Sequence, residues 1–122
     1  MTDVAKTTHP VLYWKSTCDT CRAARSLVLA LAPDTVSRDY AKAPLTEDEV
    51  REIVRLAGGT APVINQRHEQ AKGEGWATHP PDVDTYARRV VETPNLLRRP
   101  ILIRDGSIVI GKQEAAIRAL LA

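Results

Sequence analysis

The chain has 122 residues, the usual size of one domain, and we expect a single domain over residues 1–122. Its hydrophobic fraction of 43% and charged fraction of 26% exclude a disordered chain, and its net charge of +2 is too small to predict nucleic-acid binding. The longest apolar stretch, residues 26–32, is too short to cross a bilayer, so we expect no membrane association.

The first predicted elements are a strand and a helix with two cysteines between them. Residues 10–14 (PVLYW) form a short apolar and aromatic run, which is typical of a buried strand. Strong helix formers follow from Asp19 until Pro33 ends the helix. Cys18 and Cys21 therefore form a CxxC motif at the turn from strand to helix.

A second strand is predicted over residues 35–40 (TVSRDY), which alternate in polarity and include β-branched and aromatic side chains. A helix connects it to the first strand, so the two strands are expected to be parallel. A helical insertion is then predicted over about residues 46–93.

The insertion begins with the clearest helix of the chain. Thr46 and Glu49 have the spacing of a capping box, and Gly58 ends the helix. Glycines and prolines interrupt residues 60–81, for which we expect short helices and loops. Residues 82–92 are amphipathic and predict another helix.

The C-terminal part predicts a hairpin followed by a helix. Apolar runs at residues 101–103 and 108–110 are separated by a turn that contains Asp105 and Gly106, a strong hairpin pair. Residues 113–121 predict the last helix. The whole order predicts an α/β, thioredoxin-like fold: a four-stranded mixed sheet with flanking helices and a helical insertion between strands two and three.

The two cysteines are the candidate reactive groups. A thiol is a nucleophile only as a thiolate, and Cys18 lies at a predicted helix N-terminus, where unpaired N–H groups and the helix dipole favour an anion. Arg22 adds a nearby positive charge. Cys21 follows one turn later, within reach of the first sulfur. A CxxC motif in this setting indicates redox chemistry.

Two other interpretations of the motif stay open: half of a zinc site, or two inert structural thiols. Zinc needs two further ligands, and the chain has only the scattered His9, His68 and His79. We therefore expect no metal and no other cofactor. Two cysteines cannot form the multi-bridge framework of small secreted domains, and the N-terminus has no apolar export signal, so we expect a cytoplasmic protein.

Two blocks of sequence, VLYWKSTCDTCRAAR at residues 11–25 and ETPNLLRRPILI at residues 92–103, resemble the arsenate reductase (ArsC) and Spx family of thioredoxin-fold proteins. Residues 46–59 and 110–121 are similar to the family's middle helix and its closing strand and helix. The resemblance covers nearly the whole chain.

The resemblance implies roles for particular residues. In arsenate reductases of this family the cysteine that matches Cys18 attacks arsenate, and arginines that match Arg99 and Arg67 hold the oxyanion. We expect Arg22 to be a further oxyanion-binding residue. Backbone N–H groups of residues 19–22 would complete the anion site. Pro100 matches the proline that faces the cysteine loop in thioredoxin-like folds, so we expect a cis peptide bond before it.

The chain departs from the family pattern at three positions. Lys112 stands where a third arginine is found, which keeps the charge but loses the planar fork. Trp14 replaces a histidine of some members, so activation of the thiol would depend on the helix N-terminus and Arg22. Cys21 replaces the serine of many glutaredoxin-coupled members, which favours thioredoxin over glutaredoxin and glutathione as electron donor.

The function implied by the resemblance is thiol-dependent reduction of arsenate to arsenite by a monomeric enzyme of arsenic resistance. Two alternatives remain open at this point. Spx-like regulators also carry the CxxC and LLRRP motifs, and they bind RNA polymerase. A generic thiol–disulfide reductase would use the same cysteines without arsenate.

Overall fold

A computed structural model describes residues 9–122, and its helices and strands follow the predicted order. The elements are β1 (Val11–Trp14), α1 (Asp19–Leu31), β2 (Val36–Asp39), α2 (Glu47–Ala57), α3 (Glu69–Gly73), α4 (Val83–Glu92), β3 (Ile101–Arg104), β4 (Ser107–Ile110) and α5 (Glu114–Leu121). The prediction that no export signal is present concerns the N-terminus, and residues 1–8 lie outside the described range.

The strands form one sheet in the order β2-β1-β3-β4. β1 is parallel to β2, with Val11 opposite Val36, and antiparallel to β3, with Val11 opposite Ile103. β4 is antiparallel to β3. The predicted mixed sheet with a helical insertion between strands two and three is confirmed.

The described chain divides into two compact units. The first contains the sheet, α1 and α5, and consists of the described residues up to Ala43 together with Arg99–Ala122. The second is Pro44–Arg98, which contains α2, α3 and α4. The expectation of one domain over residues 1–122 stays a prediction.

In the first unit, successive side chains of β1 point to opposite faces of the sheet, and Leu12 lies on the face that α1 and α5 cover. Leu12 is buried in a cluster with Val28, Leu102 and Ile117. The β3–β4 turn has positive φ angles at both central residues, 50° at Asp105 and 80° at Gly106. That backbone matches the twist of the two strands, which is why an Asp-Gly pair predicts the hairpin.

In the second unit, α2 begins with the predicted capping box. The Thr46 hydroxyl accepts from the Glu49 N–H at 3.1 Å, and the Glu49 carboxylate accepts from the Thr46 N–H at 2.9 Å. The helix ends at Gly58, whose φ of 84° suits glycine. Residues 60–81 contain a 3₁₀ helix, Ala61–Val63, and α3, which confirms the expected short helices and loops.

The core of the second unit is organised around Tyr86 on α4. Its ring is fully buried and packs edge-on against Trp76, with ring centroids 5.9 Å apart. Its hydroxyl lies 2.7 Å from the Val63 carbonyl and 3.2 Å from the Leu96 carbonyl. No helix within residues 9–122 has the length and apolar character needed to cross a membrane.

Candidate active site

The CxxC motif lies where β1 passes into α1, and Cys18 is the N-cap residue of the helix. Its backbone is extended, with φ −108° and ψ 122°, and its Sγ accepts from the Cys21 N–H at 3.4 Å. The Cys18 carbonyl accepts from the Arg22 N–H at 3.0 Å. The sulfur thus takes the place of the side-chain oxygen that usually caps a helix, and the first turn of α1 stabilises it as an anion.

Asp39, the last residue of β2, holds the loop that carries the motif. Its Oδ1 accepts from the Ser16 N–H at 3.1 Å and from the Ala41 N–H at 3.0 Å. Burial raises the pKa of Asp39, but the hydrogen bonds from Ser16 and Ala41 outweigh burial and leave the pKa below its ordinary value. The carboxylate is therefore ionised at neutral pH and ties the cysteine loop to the end of β2.

The two thiols have opposite electrostatic environments. Burial raises the pKa of Cys18, but hydrogen bonds from Cys21 and the guanidinium of Arg99 outweigh burial, so the pKa lies below its ordinary value. Burial also raises the pKa of Cys21, and the neighbouring Cys18 charge raises it further, to about 11. Cys21 is fully buried and Cys18 is partly exposed. Cys18 is consequently the more readily ionised thiol of the pair.

Arg99 comes to this site from the start of β3. Its guanidinium interacts electrostatically with the Cys18 thiol and lowers the pKa of that thiol. Within the described chain, its buried Nε has no hydrogen-bond partner. The Arg99–Pro100 peptide bond is cis, the isomer expected from the sequence, and the Pro100 carbonyl accepts from the Gly111 N–H at 2.8 Å.

The Arg22 side chain interacts with the loop and the first turn of α1. Its Nη1 donates to the Ser16 carbonyl at 2.7 Å, and its Nη2 forms an ion pair with Asp19. The arginine that interacts with the Cys18 sulfur is Arg99. Arg22 therefore contributes to the shape of the loop, and its predicted action on the thiol stays a prediction.

Lys112 and Arg67 are both exposed. Lys112 follows Gly111 after β4 in the first unit. Arg67 lies in a turn of the second unit, where its N–H donates to the Asn65 side chain at 3.2 Å. The oxyanion-binding role of both residues stays a prediction.

Two of the four backbone N–H groups expected to bind an anion are already engaged inside the motif. Cys21 donates to the Cys18 sulfur and Arg22 to the Cys18 carbonyl. The amides of Asp19 and Thr20 are the first of the helix, and they remain the candidates for this role. In residues 9–122, no group of three or more His, Cys, Asp or Glu side chains is placed to hold a metal ion.

The sequence did not single out Asp39 and Tyr40, which follow each other at the carboxyl end of β2. The Tyr40 N–H donates to the Trp14 carbonyl at 3.0 Å, which places this residue beside the strand end that leads into the cysteine loop. Parallel neighbouring strands bring their carboxyl ends to one edge of a sheet, where ligand sites form. This rule, applied to the sequence, would have indicated Asp39 and Tyr40 as residues near the site.

Comparison with known proteins identifies the family to which this chain is similar. Residues 13–120 match the family model described as the ArsC family. The global transcriptional regulator Spx of Bacillus subtilis strain 168 is 31% identical over 111 residues, which cover 90% of this chain and 85% of Spx.

Two solved structures have similar folds. An arsenate reductase from Vibrio cholerae superposes with a TM-score of 0.77 at 16% identity, over 94% of this chain and 99% of that one. A possible arsenate reductase from Streptococcus mutans UA159 has a TM-score of 0.67 at 25% identity, over 88% and 93%. The matches and the paired thiols support a thiol redox function, and the chain belongs to the ArsC family.

Proposed function

We propose that this protein reduces arsenate to arsenite, with Cys18 as the nucleophile and Cys21 as the resolving thiol. The observation that carries the proposal is the electrostatic interaction between Cys18 and Arg99. A thiolate and a guanidinium with an unpaired buried N–H meet at the start of a helix. An oxyanion bound there would be neutralised by the arginine while its central atom faces the sulfur.

The reaction proceeds in two steps. The Cys18 thiolate attacks arsenic and displaces one arsenate oxygen, which leaves as water after protonation, so that an S–As bond forms. Cys21 then loses its proton and attacks the Cys18 sulfur. The S–S bond forms, the S–As bond breaks, and its electron pair stays on arsenic. Arsenic(V) becomes arsenic(III), and the two thiols are oxidised to one disulfide.

The electrostatics of the pair order these steps. The negative charge on Cys18 helps to raise the pKa of Cys21, so both sulfurs do not ionise together. Once Cys18 is bonded to arsenic, that charge is gone and Cys21 is easier to deprotonate. Because the pair forms its own disulfide, a dithiol donor such as thioredoxin would restore the enzyme by attacking Cys18, the more exposed sulfur.

The remaining anion ligands follow from charge and position. Arg99 is the central one, with the amides of Asp19 and Thr20 at the start of α1. Arg67 and Lys112 are the further cations that the family pattern assigns to the oxyanion. Lys112 would neutralise charge without the paired hydrogen bonds of an arginine.

A second candidate function rests on the identity with Spx. In a regulator of that kind the Cys18–Cys21 pair would be a redox switch, and the protein would act by binding RNA polymerase. The 31% identity over 90% of the chain is the observation that favours it. Both functions need the reactive thiol, so thiol reactivity alone does not separate them.

The decisive experiment supplies arsenate to reduced protein with thioredoxin, thioredoxin reductase and NADPH. We expect arsenate-dependent NADPH oxidation. Cys18→Ser should abolish it, since a hydroxyl does not provide the attacking thiolate. Cys21→Ser should stop turnover with thioredoxin, because no internal disulfide forms, and a parallel assay with glutaredoxin and glutathione would detect residual activity.

Arg99 provides the test for anion binding. Arg99→Ala should lower kcat/KM for arsenate by about 10- to 150-fold, the worth of one charged hydrogen bond of about 1.5–3 kcal/mol. Arg99→Lys should recover part of this loss. Arg98→Ala is the matched control, since Arg98 is exposed and its Nη1 donates to the Pro62 carbonyl.

Absence of NADPH oxidation with both donor systems would overturn the reductase proposal. Binding to RNA polymerase that depends on the redox state of the cysteines would then establish the regulator. Reduction of a model disulfide without any response to arsenate would instead indicate a generic thiol–disulfide reductase.

A further inference from the structure

Tyr40 is a buried residue at the candidate active site that neither the sequence pattern nor the thiol chemistry accounts for. Its side chain is only 3% exposed, and in the described part of the chain its hydroxyl has no hydrogen-bond partner. Burying a hydroxyl without a partner costs free energy, so such a group needs a reason. The hydroxyl of Tyr86, also buried, reaches two carbonyl groups.

Tyr40 lies beside the cysteine loop, where a bound ligand could provide the missing hydrogen-bond acceptor. Its backbone is bonded to Trp14 at the end of β1, and the preceding residue, Asp39, anchors the cysteine loop. Its hydroxyl is within electrostatic reach of Cys18, Cys21 and Arg99. Among the described residues, Arg99 Nε and Trp14 Nε1 are further buried donors of this neighbourhood that have no hydrogen-bond partner. Of these donors, those of Tyr40 and Arg99 belong to residues that interact electrostatically with the Cys18 sulfur.

Tyr40 also stays protonated. Burial raises its pKa, the Arg99 charge opposes this, and the charges of Cys21, Cys18 and Asp39 add to the increase. The hydroxyl is consequently a hydrogen-bond donor at every pH at which the thiol works. It contributes a donor without adding a charge.

We propose that the Tyr40 hydroxyl donates a hydrogen bond to an oxygen of the oxyanion that binds between Cys18 and Arg99. The inference rests on the proposed arsenate reductase function and adds a ligand-binding residue to it. Arg99 neutralises the anion, and Tyr40 orients one of its oxygens. The acceptor that the hydroxyl lacks in the protein is supplied by the substrate.

The test uses inorganic phosphate as an unreactive probe that protects Cys18 from iodoacetamide at constant ionic strength. In Tyr40→Phe, half-protection should need about 10- to 100-fold more phosphate than in the unmodified protein, because one hydrogen bond to a charged group is lost. Without phosphate, the rate of Cys18 alkylation should be unchanged, since Cys21 and Arg99 lower the pKa of this thiol.

Tyr86→Phe is the matched control. It removes a hydroxyl that has protein partners, so it should lower the melting temperature and leave phosphate protection unchanged. Tyr40→Phe should melt at the same temperature as the unmodified protein or higher, because its hydroxyl has no partner in the described fold.

The outcomes separate the two proposals. Equal phosphate protection in Tyr40→Phe and the unmodified protein would overturn the role of Tyr40 alone. Slower alkylation of Cys18 in Tyr40→Phe without phosphate would also overturn it, because it would show that Tyr40 supports the thiol itself. No phosphate protection and no arsenate turnover in the unmodified protein would overturn the anion site, and the inference with it.

Discussion

The predicted difference in reactivity between Cys18 and Cys21 can be tested by alkylation with iodoacetamide at pH 7. With a pKa of about 11, Cys21 is ionised in about 1 molecule in 10,000 at this pH, against about 1 in 100 for a thiol at the ordinary value of 9.0. Cys18, whose pKa lies below that value, is ionised to a greater extent than 1 in 100. The thiolate populations therefore differ by at least about 100-fold.

Intrinsic nucleophilicity reduces this difference. A thiolate whose pKa is higher by two units is about eightfold more nucleophilic, since the rate follows basicity with a coefficient of about 0.4–0.5. Cys18 should therefore be alkylated at least about tenfold faster than Cys21 at pH 7. Full burial of Cys21 hinders access to it and acts in the same direction.

Limited labelling followed by peptide mass spectrometry measures both rates. The Cys18 rate should rise with pH and reach half of its maximum below pH 9.0, because its pKa is lowered. In Cys18→Ser, Cys21 should react faster than in the unmodified protein, since a charge that raises its pKa is removed, but still slowly because burial remains. Equal labelling of the two cysteines at pH 7, or preferential labelling of Cys21, would refute the assignment.

Three further predictions concern stability, each measured by thermal or urea unfolding. Asp39→Ala should lower the free energy of unfolding by about 1–3 kcal/mol, because the Ser16 amide loses its acceptor. The difference should be largest above pH 3.8 and become smaller as the pH falls through the lowered pKa of the carboxyl, since the stabilisation that comes from its ionised form is then lost. Thr46→Ala should lower the free energy of unfolding by about 0.5–2 kcal/mol, because the capping-box hydrogen bond from the Glu49 N–H is lost. An unchanged free energy of unfolding would show that the capping box does not stabilise the protein. Leu102→Ala should lower the free energy of unfolding by about 2–5 kcal/mol, because it leaves a cavity in the core. A decrease of less than about 1 kcal/mol would contradict close packing around Leu102.

Much of the fold could be predicted because its signals are local. The capping box at Thr46, the Asp105–Gly106 turn and the apolar runs of β1 and β3 each depend on residues close together in sequence. The parallel pairing of β1 with β2 followed from the helical connection between them. Family membership, which the sequence blocks suggested, is confirmed by the match over residues 13–120.

The site was only partly predictable. The CxxC motif identified both sulfurs, because their spacing and the helix start are visible along the chain. Arg22 was expected to act on the thiol because it is near Cys18 in sequence, and this stays a prediction; in the structure its side chain interacts with Ser16 and Asp19. Nearness in sequence places a long side chain on a helix without deciding which way it extends.

The sequence by itself determined the reactive pair, the helix that stabilises the anion and the order of the elements, because these depend on contacts over a few residues. Only the tertiary structure shows which side chains interact with the thiol in space. Arg99, which the family resemblance assigned to the anion site, and Tyr40, which it did not, interact with Cys18 because β3 and β2 flank β1 in one sheet, and no local pattern shows that juxtaposition. Burial, which opposes ionisation of both sulfurs and leaves the Tyr40 hydroxyl without a partner in the described chain, likewise exists only once the chain has folded.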